Sequence, residues 1–162
     1  MSMSRFYRAE LCAFVILALV ASCGKTSTTD VEKTIVEKEK QVLDEWGKGR
    51  TMIFPNNSAV DVTYFDPSLE KRLDGKEAFA ALCKSIEGKF TVDRYDMIDP
   101  KVQVYGEVAI LTYNLIDYSE KGDSTEKTFS WNSTEVYHKE GDDWRIVHSH
   151  WSFTKPNIAK TN

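Results

Sequence analysis

Two histidines spaced His-x-His, His148 and His150, and an upstream carboxylate, Glu135, are the groups in this chain best suited to chemistry. Imidazole exchanges protons near neutral pH and ligates metals. A carboxylate acts as a base or as an acceptor-only hydrogen-bonding group. All three fall in a stretch that reads as a hairpin. Residues 125–139 are rich in Thr, Phe, Trp, Val and Tyr, Gly141-Asp142-Asp143 favours a turn, and Trp144 to Trp151 returns as strand. Side chains in a strand alternate between faces. Trp144, Ile146, His148, His150 and Ser152 therefore share one face; Arg145, Val147, Ser149, Trp151 and Phe153 share the other. A turn centred on Gly141-Asp142 sets His148 opposite Glu135 and His150 opposite Ser133, and paired residues show the same face. Trp131, Ser133, Glu135 and Tyr137 then join the histidines in a polar wall floored by Trp144. A turn one residue longer or shorter replaces them with Thr134, Val136 and His138.

Three readings of the histidine pair compete. They are hydrogen-bonded structural residues lining a cavity, or contacts to a small organic ligand, or chelators of a metal. The last lacks a third and fourth ligand at diagnostic spacing, although Glu135 is available, and no metal is expected. If His148 faces Glu135, the ion pair raises its pKa; burial without the pair lowers it. Cys83 falls on one helical face with Phe79, Leu82 and Ile86, which reads as a small buried hydrophobe. No dinucleotide fingerprint, phosphate-binding glycine loop or Ser/His/Asp order is visible, so no cofactor is expected.

The elements that hold these residues follow an α+β order. Thr29 and Glu32 have capping-box spacing and open a helix running to about Trp46. Val31, Ile35, Val42 and Trp46 form its apolar stripe, and Glu37-Lys-Glu-Lys40 reads as a solvated face. Met52, Ile53 and Phe54 make a short helical turn before Pro55. Residues 60–65 form a strand, with Val60, Val62 and Tyr64 on one face. A second helix carries Cys83 between Gly75 and Gly88. Three strands follow at 90–99, 102–105 and 108–118; the last is apolar on both faces and should be covered on both.

Composition bounds the function. The chain has 162 residues, 41% of them hydrophobic, and a formal net charge of −4, which suits one globular domain. Its charges are interspersed and it has no basic tract, so no nucleic-acid partner is expected. Residues 1–22 read as a signal peptide: Arg5 and Arg8, an apolar run from Leu11 to Ala21, then small residues. Val20-Ala-Ser-Cys23 resembles a bacterial lipobox, which implies that Cys23 carries lipid and anchors the chain in the cell envelope. The expected division is signal peptide 1–22, lipidated cysteine and polar tether 23–29, folded domain 30–156 and tail 157–162. Cys83 is then the one cysteine of the folded domain, which leaves no intradomain disulfide.

Trp144-Arg-Ile-Val-His-Ser-His-Trp-Ser152 resembles the end of the calcium/calmodulin-dependent protein kinase II association domain and of SnoaL-like domains. Asp61-Val-Thr-Tyr-Phe-Asp-Pro67 and Gly75-Lys-Glu-Ala78 extend the resemblance over roughly residues 30–156. These domains belong to the nuclear-transport-factor-2-like superfamily. The resemblance implies a curved antiparallel sheet wrapped around N-terminal helices, with a conical cavity. It places Tyr64 and Asp66 at the cavity, and the expected ligand-binding set is Tyr64, Asp66, Tyr113, Trp131, Glu135, His148 and His150. A small, partly apolar ligand and a homodimer are implied, the dimer resting also on strand residues Phe129 and Trp151. A cavity plugged by Trp131, Trp144 and Tyr113 would instead favour assembly alone. Related isomerases and cyclases pair a carboxylate base with a hydrogen-bond donor. Here that would be Asp66 or Glu135 with Tyr64 or His148, and whether the chain is an enzyme stays open. The kinase domains carry arginine where this chain has Glu135, so their ligand preference does not transfer.

Overall fold

The computed structural model describes residues 27–121 and 124–155; the signal peptide, Cys23 and the tail at 157–162 lie outside the described residues. Helix α1 spans Thr28–Gly47. Its cap is Ser27, whose Oγ accepts from the Asp30 backbone N–H at 3.1 Å, so the helix takes up the last two residues of the expected tether. Val31, Ile35, Val42 and Leu43 are buried, as the apolar spacing predicts. Glu39 is buried with them at 0% exposure, which corrects the solvated-face reading. Position 39 lies one turn beyond Ile35, inside the apolar stripe. A reverse turn follows, in which Gly49 takes φ 78°, open to glycine at little cost. Helix α2 is the single turn Ile53–Asn56.

Strand β1 (Ser58–Phe65) and the two-residue β2 (Leu73–Asp74) precede helix α3 (Lys76–Ile86). Then come β3 (Arg94–Tyr105), β4 (Val108–Lys121), β5 (Ser124–Glu140) and β6 (Asp143–Phe153). The six strands form one curved sheet in the order β2-β1-β6-β5-β4-β3. Every pairing is antiparallel except β1 with β6, which is parallel, so the sheet is mixed. The helices pack on the concave face, where Val42, Leu43, Phe79, Leu111 and Ile146 build the core.

The sheet has four register shifts, one of them between Ile116 of β4 and Tyr118; the other three shape β3, β1 and β6. In β3, Asp99 at φ 48° and Pro100 fall in a register shift between Ile98 and Lys101. Pro100 therefore bends one long edge strand instead of ending it, because an edge position needs no N–H for the ladder. In β1 the register shifts between Ser58 and Thr63, which throws Val60 out to 79% exposure while Val62 stays buried. The third shift lies in β6. Pairing runs as expected from Glu140↔Asp143 to Tyr137↔Ile146, then continues as Val136↔His148. Val147 is the extra residue of a β-bulge. Beyond it Glu135 faces Ser149 and Thr134 faces His150. The expected pairing of His148 with Glu135 is thus corrected by one residue. The outer face of β4 is also uncovered within the chain: Ile110, Thr112 and Ile116 are half-buried and Asn114 is exposed.

Candidate functional site

The concave face and the helices enclose a cavity of about 60 Å³. Most of its lining is apolar. Leu43 and Trp46 come from α1, Phe54 from α2, Phe79, Leu82, Cys83 and Ile86 from α3, and Leu115 and Trp151 from the sheet. Its polar groups are Tyr64 and Asp66 at the end of β1, Asp117 of β4 and Trp131 of β5. Trp131 Nε1–H donates to Asp117 Oδ2 at 2.7 Å. Tyr64 O–H donates to Asp66 Oδ2 at 3.2 Å, and Ser68 N–H donates to Asp66 Oδ1 at 2.8 Å. Burial pushes the Asp117 carboxyl up, with the Trp131 hydrogen bond opposing it. Burial, followed by the charge of Asp66, pushes the Tyr64 phenol well up. The Cys83 thiol is pushed up to about 12 by burial, which leaves it inert at neutral pH.

An aromatic lip extends from Trp131. Its ring lies 4.6 Å from Phe153 and 5.6 Å from Phe129, and those two rings stack at 5.7 Å. Phe129 and Phe153 are each 52% exposed although they share the inward parity of Trp131. Phe129 therefore packs beside Trp131 on the cavity side of the sheet, and Trp151 is buried at 8%, so neither supplies the outer dimer face expected of them.

Behind the cavity wall lies a second polar group. Glu39 of α1 accepts from Tyr113 O–H at 2.6 Å and from Tyr137 O–H. Glu135 Oε1 accepts from Ser149 O–H at 2.8 Å and Ser133 O–H at 3.3 Å, while its Oε2 is buried without a hydrogen-bond partner. Trp151, which lines the cavity, donates from Nε1 to Ser149 Oγ at 3.1 Å and so links the two groups. Burial raises both glutamates, and the charge of Glu39 raises Glu135 further.

The sequence-predicted site divides accordingly. Tyr64, Asp66 and Trp131 line the cavity; Tyr113 and Glu135 lie deeper on the same face; Trp144 is core, not floor. His148 and His150 stand on the opposite, outer face, because the bulge at Val147 reverses their parity. There His148 Nδ1 lies 2.8 Å from Thr63 Oγ1, and Phe65 packs against both imidazoles. Burial lowers the His148 pKa, helped by the positive charges of His150 and Arg72. Among the described residues no group of three or more His, Cys, Asp or Glu is placed to hold a metal ion.

Residues 54–156 match the family model of the SnoaL-like domain. The chain belongs to the SnoaL-like family. A candidate ketosteroid isomerase from Parabacteroides distasonis ATCC 8503 is 38% identical, with a TM-score of 0.67 over 82% of this chain and 94% of that one. A nuclear-transport-factor-2-like protein of unknown function from Pseudomonas putida KT2440 is 20% identical, with a TM-score of 0.66 over 78% and 89% of the two chains. The calcium/calmodulin-dependent protein kinase II hub of S. rosetta is also 20% identical, with a TM-score of 0.61 over 75% and 95%. These last two likenesses bear on the fold alone. No curated protein matches.

Two residues of this SnoaL-like chain escaped sequence reasoning. Asp117 continues the inward series Ala109, Leu111, Tyr113, Leu115, so strict alternation marked it. It also sits where β4 and β5 slip register between Ile116 and Tyr118, a place where a strand re-aims a side chain. Glu39 was marked by its place in the helical stripe, but its partners, Tyr113 and Tyr137, are far away in sequence.

Proposed function

We propose that this SnoaL-like domain binds a small, partly apolar ligand in its cone, and that lipid on Cys23 holds it at the cell envelope as a homodimer. The observation that carries the ligand reading is the cavity itself. An apolar chamber keeps two carboxylates, Asp66 and Asp117, at its wall beside a half-exposed aromatic lip. Apolar lining with a few placed polar groups is the usual make-up of a small-molecule site. A plugged cone would have favoured assembly alone. Tyr113 and Trp144 stay out of the chamber, and Trp131 forms one wall of it. The volume of about 60 Å³ holds roughly four to six waters, so the chamber takes one small end of a ligand while the rest lies against the lip.

A second reading, acid–base catalysis on such a ligand, is supported by the likeness to the candidate isomerase and by Asp117, an acid raised by burial within the cavity. The dimer reading is supported by the uncovered outer face of β4 to β6. The anchor reading rests on the sequence around Cys23.

A fragment panel read by the Trp131 indole N–H resonance tests the ligand reading. Fragments that enter should shift that resonance together with those of Leu115 and Leu82. A panel of varied shape and charge that moves none of the three overturns it. Cys23→Ala should abolish palmitate labelling and membrane association; unchanged labelling removes the anchor.

A further inference from the structure

The cavity has an uneven chemical make-up. Six aromatic side chains line it: Trp46, Phe54, Tyr64, Phe79, Trp131 and Trp151. Two carboxylates join them, and among the described residues no Lys, Arg or His does. Asp117 is 7% exposed, and among the described residues it takes part in no ion pair; its hydrogen bond comes from the neutral indole of Trp131. Asp66 likewise is held by Tyr64 and Ser68, which are neutral donors. Behind the wall, Glu39 and Glu135 are bound by hydroxyl groups, and Glu135 Oε2 is buried without a hydrogen-bond partner among the described residues. Two carboxyl groups thus line one small space, two more lie behind its wall, and none of the four takes part in an ion pair among the described residues. A buried carboxylate without a counter-charge is costly. Aromatic faces attract cations, most strongly where water is excluded. A cleft lined by one sign of charge concentrates ions of the other.

Resting on the ligand reading above, the geometry points to a small organic cation as the ligand class: an alkylammonium group seated among Tyr64, Phe79, Trp131 and Trp151, with Asp66 and Asp117 as its counter-charges. The chamber fits a methylated or short-chain ammonium head, and the lip of Phe129 and Phe153 receives the substituent that follows it. An anionic ligand is disfavoured on the same grounds, since nothing in the lining neutralises it. Binding should strengthen as pH rises, because the cation needs Asp117 ionised and burial holds that carboxyl partly back.

The test compares three probes of one shape on the full-length protein: choline, its uncharged isostere with tert-butyl in place of trimethylammonium, and the matching tert-butyl carboxylate. Calorimetric titration and the Trp131 indole resonance give the affinities. Choline should bind at least about tenfold more tightly than either other probe. Asp117→Asn, which keeps the acceptor for the Trp131 N–H, should abolish that preference. Asp66→Asn should weaken it, and thermal melts confirm that each variant is folded. An isostere that binds as well as choline overturns the cation inference and leaves the ligand reading standing. A preference that survives in both variants overturns the assignment to these carboxylates. If no probe binds, the inference fails, and the neutral and anionic members of the fragment panel decide the ligand reading separately.

Discussion

Glu135 and His148 were expected to face one another and stand on opposite sides of one sheet. That difference fixes the sign of two pH effects. Glu135 is raised from an ordinary value of 4.5 first by burial, then by Glu39. A carboxyl raised in the folded state contributes stability that is fully present below its unfolded pKa and lost as pH rises through the folded one. Two phenols donate to Glu39, whereas one oxygen of Glu135 has no partner, so the proton shared by the pair belongs on Glu135. Stability should therefore decline above about pH 4.5 toward alkaline pH. Glu135→Gln cannot ionise and should flatten that decline by up to about 1.4 kcal/mol per pH unit, the slope that one titrating proton contributes. Urea midpoints across the pH range measure it; parallel slopes in the two proteins would refute the assignment. His148 behaves in the opposite sense. Its pKa is lowered from 6.5 by burial, so its contribution is present above that value and erodes as pH falls below it. Because His148 is half-exposed, the effect is small. An NMR titration of His148 should lie below 6.5 and be the same in Glu135→Gln, since the sheet separates the two groups.

At the scale of elements, most of the order was legible. The two long helices, the short turn before Pro55 and the final hairpin follow from apolar period, caps and turn residues. The hairpin turn was legible too, since pairing starts where Gly141-Asp142 places it. The bulge was not. Val147 is an ordinary strand residue, and neither glycine nor proline marks the slip. What selects it is remote. With the slip, Ser149 meets Glu135 and Trp151 enters the core against Tyr113; without it, two imidazoles would. Such a choice belongs to tertiary packing, which local sequence does not carry. Deleting Val147 alone should close the bulge and leave Ser149 opposite Glu135 and Trp151 inward, so it should cost little. Deleting Val147 and His148 together should turn Ser149 and Trp151 outward, with a loss of at least that of truncating one large buried aromatic, about 3–5 kcal/mol, and of cooperative unfolding with it. A double deletion that melts like the wild type would show that the choice of face is incidental.

At the scale of the molecule, one sheet serves two surfaces. Odd-numbered residues of β5 such as Glu135 and Tyr137 face the cone, while Thr134 and Val136 face outward beside His148 and His150. The outward rows are half-buried, β-branched and uncharged at their centre: Ile110, Thr112, Thr134 and Val136. An uncovered apolar sheet of this kind suits a second copy of the chain. Wild-type protein should sediment as a dimer at micromolar concentration. Val136→Asp should sediment as a monomer while the Trp131 indole resonance keeps its position, because the cavity lies on the other face. A monomeric wild type, or a variant still dimeric, would count against this face.

The strand order has a consequence for biosynthesis. The final strand, β6, is not at an edge; it alone joins β2-β1 to β5-β4-β3. Its parallel seam with β1 brings Thr63 to His148, 85 positions away along the chain. Pairings of such long separation form slowly, since the loop between them must be ordered first. A nascent chain that has reached Gly141 holds two partial sheets with open edges and lacks Trp144, Ile146 and Trp151 of the core. Closure should therefore be a single late event. Ribosome-bound chains should stay protease-sensitive until β6 has emerged and then become resistant together, from Val31 to Trp151.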